Sequence, residues 1–209
     1  MSDTLTAEQV VQWLGRAAAA MEQNKERLTA LDSAIGDGDH GANMARGFHA
    51  VEGKLPGLAG KDIGTLFKTV AMTLISTVGG ASGPLYGSFF LQAAGPAKDK
   101  AALTQAELAA SFEAGLKGIT NLGKAVLQDK TMVDALQPAI EALKAPAPLA
   151  QAVKAAVEAA QKGAEATIPL VARKGRASYL GERSAGHADP GASSSVLLLQ
   201  ALAETVAGA

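Results

Sequence analysis

The chain has no cysteine among its 209 residues, which excludes disulfides, thiolate metal centres and cysteine nucleophiles. Aromatic residues make up only 4%, and alanine, leucine, glutamate and lysine dominate instead, a balance that favours helix over sheet almost throughout. Neither sign of charge is in excess: 19 Lys and Arg against 20 Asp and Glu leave −1, so there is no electrostatic basis for a nucleic-acid or acidic-membrane partner. A small anionic ligand stays open. No run reaches the roughly 18 apolar residues of a membrane span, and the first residues carry no basic stretch leading into an apolar one. The expectation is a cytoplasmic protein with one domain over 1–209, since this length suffices for one well-buried core.

What is present reads as an all-α fold. Thr6-Ala7-Glu8-Gln9 is a capping box, and Val10, Trp13, Leu14, Ala17 and Met21 follow at helical spacing. Further helical periods run from Leu28 to Ile35, from Ala42 to Leu55, and from a cap at Asp62 through Val78. Pro84 suits the first position of the next helix. Thr104-Gln105-Ala106-Glu107 is a second capping box before Leu108 to Leu122, and helices near 131–144, 148–171 and 192–207 complete the set. Short Gly/Pro punctuation between about eight helices predicts antiparallel neighbours around a single core. Two segments, 76–84 and 172–191, read as irregular.

The most informative stretch is 31–44, where Asp32, Asp37 and Asp39 fall within eight positions. Crowded carboxylates repel one another unless a cation sits among them, and hard oxygen donors favour Mg²⁺, Ca²⁺ or Mn²⁺. An EF-hand fails, because Gly41 takes the third ligand position, Ala42 the required glycine and Phe48 the terminal glutamate. Mg²⁺ shared with phosphate oxygens fits better, since that ion rarely sits in an all-protein cage. The small-residue turn from Ser76 to Pro84 exposes backbone N–H groups where phosphate binds well, although it is not a P-loop. In the third segment, Arg173, Lys174, Arg176 and Arg183 concentrate cations suited to gripping phosphate. His40 adjoins the aspartates, His49 reads as structural within a helix, and His187 lies in the long loop; no spacing supports a Ser82–His187–Asp189 hydrolase triad.

Gly36-Asp37-Gly38-Asp39-His40-Gly41-x-Asn43-Met44, Gly79-Gly80-Ala81-Ser82-Gly83-Pro84-Leu85-Tyr86-Gly87, Lys130-Thr131-Met132, and Arg173 to Arg176 with Asp189-Pro190-Gly191 together resemble the dihydroxyacetone kinase nucleotide-binding domain. The similarity covers the whole chain in order and is greatest to the stand-alone ADP-binding L subunit of the phosphoenolpyruvate-dependent kinase. It implies an eight-helix antiparallel barrel with the nucleotide in the loops at one end. It implies two Mg²⁺ ions on Asp32, Asp37 and Asp39, and ADP or ATP contacted by His40, Gly41, Ala42, Asn43, Ala81, Ser82, Gly123, Met132, Arg176, Asp189, Pro190 and Gly191. The resemblance also implies two partners: a K subunit that holds dihydroxyacetone covalently on a histidine, and an M-type phosphohistidine carrier that recharges bound ADP. An ATP-dependent kinase subunit for another ketose, or a nucleotide-sensing module reporting to a transcription regulator, would use the same motifs.

Overall fold

The computed structural model describes residues 3–208; Met1, Ser2 and Ala209, which fall within the single-domain expectation, and the first two of which begin the stretch read for a leader, lie outside them. Among the described residues are nine α-helices: α1 Ala7–Gln23, α2 Lys25–Ile35, α3 His40–Glu52, α4 Ile63–Thr77, α5 Ser82–Ala93, α6 Gln105–Gly123, α7 Met132–Lys144, α8 Leu149–Ala166 and α9 Pro190–Ala207. Short 3-10 segments cover Leu55–Leu58 and Arg176–Ser184. No helix among them is long and apolar enough to cross a membrane.

The sequence caps work as expected. Thr6 Oγ1 accepts the Gln9 N–H at 3.2 Å while Gln9 Oε1 accepts the Thr6 N–H at 2.8 Å, and Thr104 and Glu107 repeat the pattern at α6. Asp62 caps α4 through the Thr65 N–H.

Boundaries differ from expectation at several helices: α3 runs from His40 to Glu52 where 42–55 was expected, and three others have a local cause. Helix α5 begins at Ser82, so Pro84 lies inside its first turn, where a missing N–H deprives the helix of no bond. Helix α8 stops at Ala166 instead of 171, because the carbonyls of Thr167, Ile168 and Leu170 turn to the Lys130 ammonium. Helix α9 starts at Pro190, capped by Asp189 through the Ala192 N–H at 2.7 Å.

One element was not foreseen. Thr4–Thr6 (β1) pairs antiparallel with Ala102–Thr104 (β2), setting Leu5 opposite Leu103 with both fully buried. Each strand ends on the threonine that caps the next helix, so this two-stranded ribbon ties the start of α1 to the start of α6.

Packing follows a closed cycle. Helix α3 packs on α4, α4 on α5, α5 on α6, α6 on α7, α7 on α8, α8 on α9, α9 on α1, and α1 on α3, with α2 against α3 and α9. At the centre Trp13 of α1 meets Phe67 of α4, Phe90 of α5 and Phe112 of α6 with ring centroids 5.8–6.1 Å apart. Such pairs contribute about 0.5–1.5 kcal/mol each beyond the area they bury. The indole N–H donates to the Leu198 carbonyl at 2.8 Å, which leaves no unpaired polar atom on the ring and links α1 to α9.

Candidate metal and phosphate site

At one end of this cycle lies a cleft of about 410 Å³. Ile35, Gly79 and Leu122–Gly123, at or just beyond the C-terminal ends of α2, α4 and α6, line it. So do His40, Ser82, Met132 and Pro190, the first residues of α3, α5, α7 and α9. Starts and ends alternate as antiparallel neighbours require. The positive ends of four helix dipoles therefore face the cleft, but they differ in what they leave open: Thr131 and Asp189 cap α7 and α9, Asp32 takes the His40 N–H of α3, and α5, with no side-chain cap, keeps its first N–H groups for an anion.

The aspartates meet there too. Asp32 comes from the last turn of α2, and Asp37 and Asp39 from the bend that follows; one oxygen of each lies within 4.8 Å of the other two. Asp32 Oδ2 accepts the N–H groups of Asp39 at 2.8 Å and His40 at 3.1 Å, which fixes the carboxylate and folds the bend back over it. A Cβ on residue 36 would stand 2.1 Å from Asp32 Oδ1, so glycine leaves that oxygen its room. Gly38 has φ +74°, a conformation that suits glycine in the turn between the other two aspartates. Three hard oxygen donors with one side chain already anchored fit Mg²⁺ or a similar divalent ion. From the long loop, Arg176 Nε reaches Asp37 Oδ2 at 3.0 Å.

His40 is buried between two hydroxyls: Nδ1 pairs with Ser82 Oγ at 3.0 Å and Nε2 with Ser194 Oγ at 2.9 Å. Burial lowers its pKa against the opposing pull of Asp32 and Asp39, so the imidazole is neutral at pH 7. Ser194 in turn pairs with the Tyr86 hydroxyl at 2.7 Å, and Tyr86 with Ser195 Oγ at 2.9 Å. Burial pushes the Tyr86 hydroxyl up to about 12, so it stays protonated. The chain of bonds fixes Ser82 at the start of α5. Ser82 therefore pairs with His40, not with the His187 of the discarded triad.

Of the residues expected at a nucleotide, His40, Ala81, Ser82, Gly123, Met132, Arg176, Asp189, Pro190 and Gly191 line the cleft, together with Asp32, Asp37 and Asp39. Gly41, Ala42 and Asn43 do not. Gly41 lets α3 touch α2, where a Cβ would fall 2.0 Å from the Lys25 carbonyl oxygen. Asn43 is buried and accepts from Arg46, whose Nε holds the Thr77 carbonyl at 2.9 Å; its amide abuts Gly79, so it braces the turn between α4 and α5. Leu85, Ile119, Leu122, Ala125 and Val133 join Met132 in an apolar wall suited to a flat ring, and Lys174 lines the cleft beside Arg176. His49 is exposed on α3 beside Glu52.

Asp189 is buried, and burial pushes its carboxyl up to about 7, with Asp134 and Asp32 adding to the effect and the Ala192 N–H and Lys130 opposing it. Unfolded, the same group titrates near 4. Between about pH 4 and 7 the native state thus holds a proton that the unfolded chain has lost, and this group's contribution to stability falls as pH rises through the window. Thermal melts without metal or nucleotide should show it. Asp189→Asn, which can keep the cap, should reduce the loss between pH 4.5 and 7.5 by at least about 3 °C in Tm.

Comparison with known proteins gives the chain a family. The DAK2 domain model matches residues 34–204. The ADP-binding subunit DhaL of PEP-dependent dihydroxyacetone kinase from Escherichia coli K12 is 48% identical over 96% of this chain and 97% of its own length. The corresponding PTS-dependent subunit of Lactococcus lactis is 44% identical, covering 97% of this chain and 100% of its own. Among solved structures, the dihydroxyacetone kinase of C. freundii in complex with AMP-PNP and Mg²⁺ superposes with a TM-score of 0.76 at 31% identity, over 93% of this chain and 33% of that one. The chain therefore belongs to the DAK2 domain family, the family of these ADP-binding kinase subunits.

Proposed function

We propose that the chain is the ADP-binding phosphoryl-transfer subunit of a dihydroxyacetone kinase, working in the cytoplasm as a single nucleotide-binding domain over 1–209. The observation that carries it is the convergence of three aspartates and four helix starts on one cleft. Identity near 48% to an E. coli DhaL subunit over almost the whole length supports the same reading. The packing cycle of α1 and α3 to α9 supports an eight-helix barrel, with α2 lying against it.

Asp32, Asp37 and Asp39 would hold two Mg²⁺ ions. Bound there, the ions would neutralise charge on the phosphoryl oxygens as they move. The N–H groups at the start of α5 and the Ser82 hydroxyl, held by neutral His40, would bind phosphate oxygens, with the positive end of the α3 dipole beside them. Arg176, with Lys174 beside it, would close the site from the long loop, and Gly123, Met132 and the apolar wall would take the adenine. Asp189, Pro190 and Gly191 would bound the nucleotide from α9, while Gly41, Ala42 and Asn43 support the bend from behind. No general base is assigned to this chain, because the acceptor hydroxyl belongs to a substrate held on a K subunit. The phosphoryl donor would be a phosphohistidine on an M-type carrier, with ADP staying in place between cycles.

Mixing the chain with a K subunit, a charged carrier and dihydroxyacetone at substoichiometric ADP tests this. Many molecules of dihydroxyacetone phosphate per ADP are expected. Turnover that stops at one per nucleotide, or that requires continual ATP, would contradict it.

A further inference from the structure

Lys130 is a buried lysine, 1% exposed, in the tight connection between α6 and α7. Its three N–H groups face four backbone carbonyls: His187 at 2.6 Å, Thr167 at 2.7 Å and Leu170 at 3.0 Å, with Ile168 at 3.4 Å sharing one of the protons. Three of the carbonyls belong to the segment leaving α8 and one to the segment entering α9, so a single charge grips both ends of the long loop. The surrounding bonds tighten the same base. The Arg173 N–H reaches the Asp129 carbonyl at 3.1 Å, the Ala172 N–H reaches Ser184 Oγ at 2.8 Å, and the Gly186 N–H reaches the Ile168 carbonyl at 2.7 Å. Lys130 itself holds φ +63°, an unusual backbone state for a residue with a side chain, and one that the packing around it maintains.

The loop so gripped carries Lys174 and Arg176 to the cleft; Lys130 also lines it, but its ammonium is taken up by the loop-base carbonyls. We infer that Lys130 is a positioning residue: by pinning the two ends of the 171–186 loop it sets where these cations stand and hence how long a nucleotide is retained. The nucleotide part of the inference rests on the proposed function; the pinning does not. Charge-assisted bonds are the strong ones, and removing the shared donor takes a partner from four carbonyls at once; Ile168 keeps the Gly186 N–H and Thr167 the Leu170 N–H, while those of Leu170 and His187 lose their ammonium contact.

The test is Lys130→Met, which keeps the stem and deletes the donor. Without nucleotide, hydrogen exchange at the amides of Ala172, Arg173 and Gly186 should accelerate at least about 10-fold, while amides within α4, α5 and α6 keep wild-type rates. In the reconstituted kinase, KM for Mg-ADP should rise about 10-fold, and kcat at saturating Mg-ADP should change less. Lys130→Gln, which retains two donors, gives a smaller acceleration at the same three amides and serves if the methionine variant does not fold. Unchanged exchange at these amides would overturn the pinning. Equal acceleration throughout α4 to α6 in both variants would overturn it as well, showing only a general loss of stability. A kcat that falls while KM stays fixed would overturn the positioning role. Wild-type protein with protected loop amides but no affinity for Mg-ADP would sink the proposed function and leave the pinning standing.

Discussion

Asp37→Ala is expected to raise the Kd for ADP in Mg²⁺ on the order of 100-fold, equivalent to about 2.7 kcal/mol. Asp37 stands in the bend after α2 with its oxygen within 4.8 Å of those of Asp32 and Asp39, and it is exposed, so the core does not depend on it. Removing it takes one of three hard oxygen donors and one of three negative charges from the cluster, and also releases Arg176 from its 3.0 Å contact. Calorimetry in Mg²⁺ measures the loss. A Tm within a few degrees of wild type would show that the fold is intact, and unchanged ADP affinity would count against the metal assignment.

Gly36→Ala should be nearly as damaging, for a steric reason. The new Cβ would lie 2.1 Å from Asp32 Oδ1 and 3.0 Å from its Cγ, so the carboxylate must swing away. In doing so it gives up the N–H groups of Asp39 and His40, the two bonds that hold the bend in place. A loss of at least about 30-fold in Mg-ADP affinity is expected, with stability lowered by about 1–2 kcal/mol, the range for overpacking plus a strained local hydrogen bond. Titrating Mn²⁺ by electron paramagnetic resonance separates metal loss from nucleotide loss. Wild-type Mn²⁺ affinity in this variant would mean that Asp32 Oδ1 is no ligand.

What could be read from the residues alone was whatever lies close along the chain. Asp32, Asp37 and Asp39 span eight positions, and the capping boxes at Thr6 and Thr104 span four, so local chemistry announces them. The chain His40–Ser194–Tyr86–Ser195 joins α3, α5 and α9, and nothing near His40 in the sequence points to residues more than 150 positions away. Lys130 was legible only as part of a motif, because lysine is ordinarily exposed and its four acceptors are backbone carbonyls, which carry no sequence signature. Those same carbonyls explain why α8 stops short of the residue its apolar pattern reaches. The ribbon of Thr4–Thr6 with Ala102–Thr104 was hidden for a related reason: three residues show no period, and the pairing spans about a hundred positions. Gly41 and Asn43 belong to the recognised motif, yet tight packing of α3 on α2 and support of Gly79 account for them without direct contact with the cleft.

Native mass spectrometry of the chain purified in Mg²⁺ reads the contents of the cleft directly. The expected mass exceeds that of the polypeptide by one nucleoside diphosphate and two magnesium ions, and the increment should vanish in Asp37→Ala. A wild-type mass equal to the bare polypeptide, unchanged after incubation with Mg-ADP, would contradict the central claim that the aspartates and the four helix starts form a metal–nucleotide site.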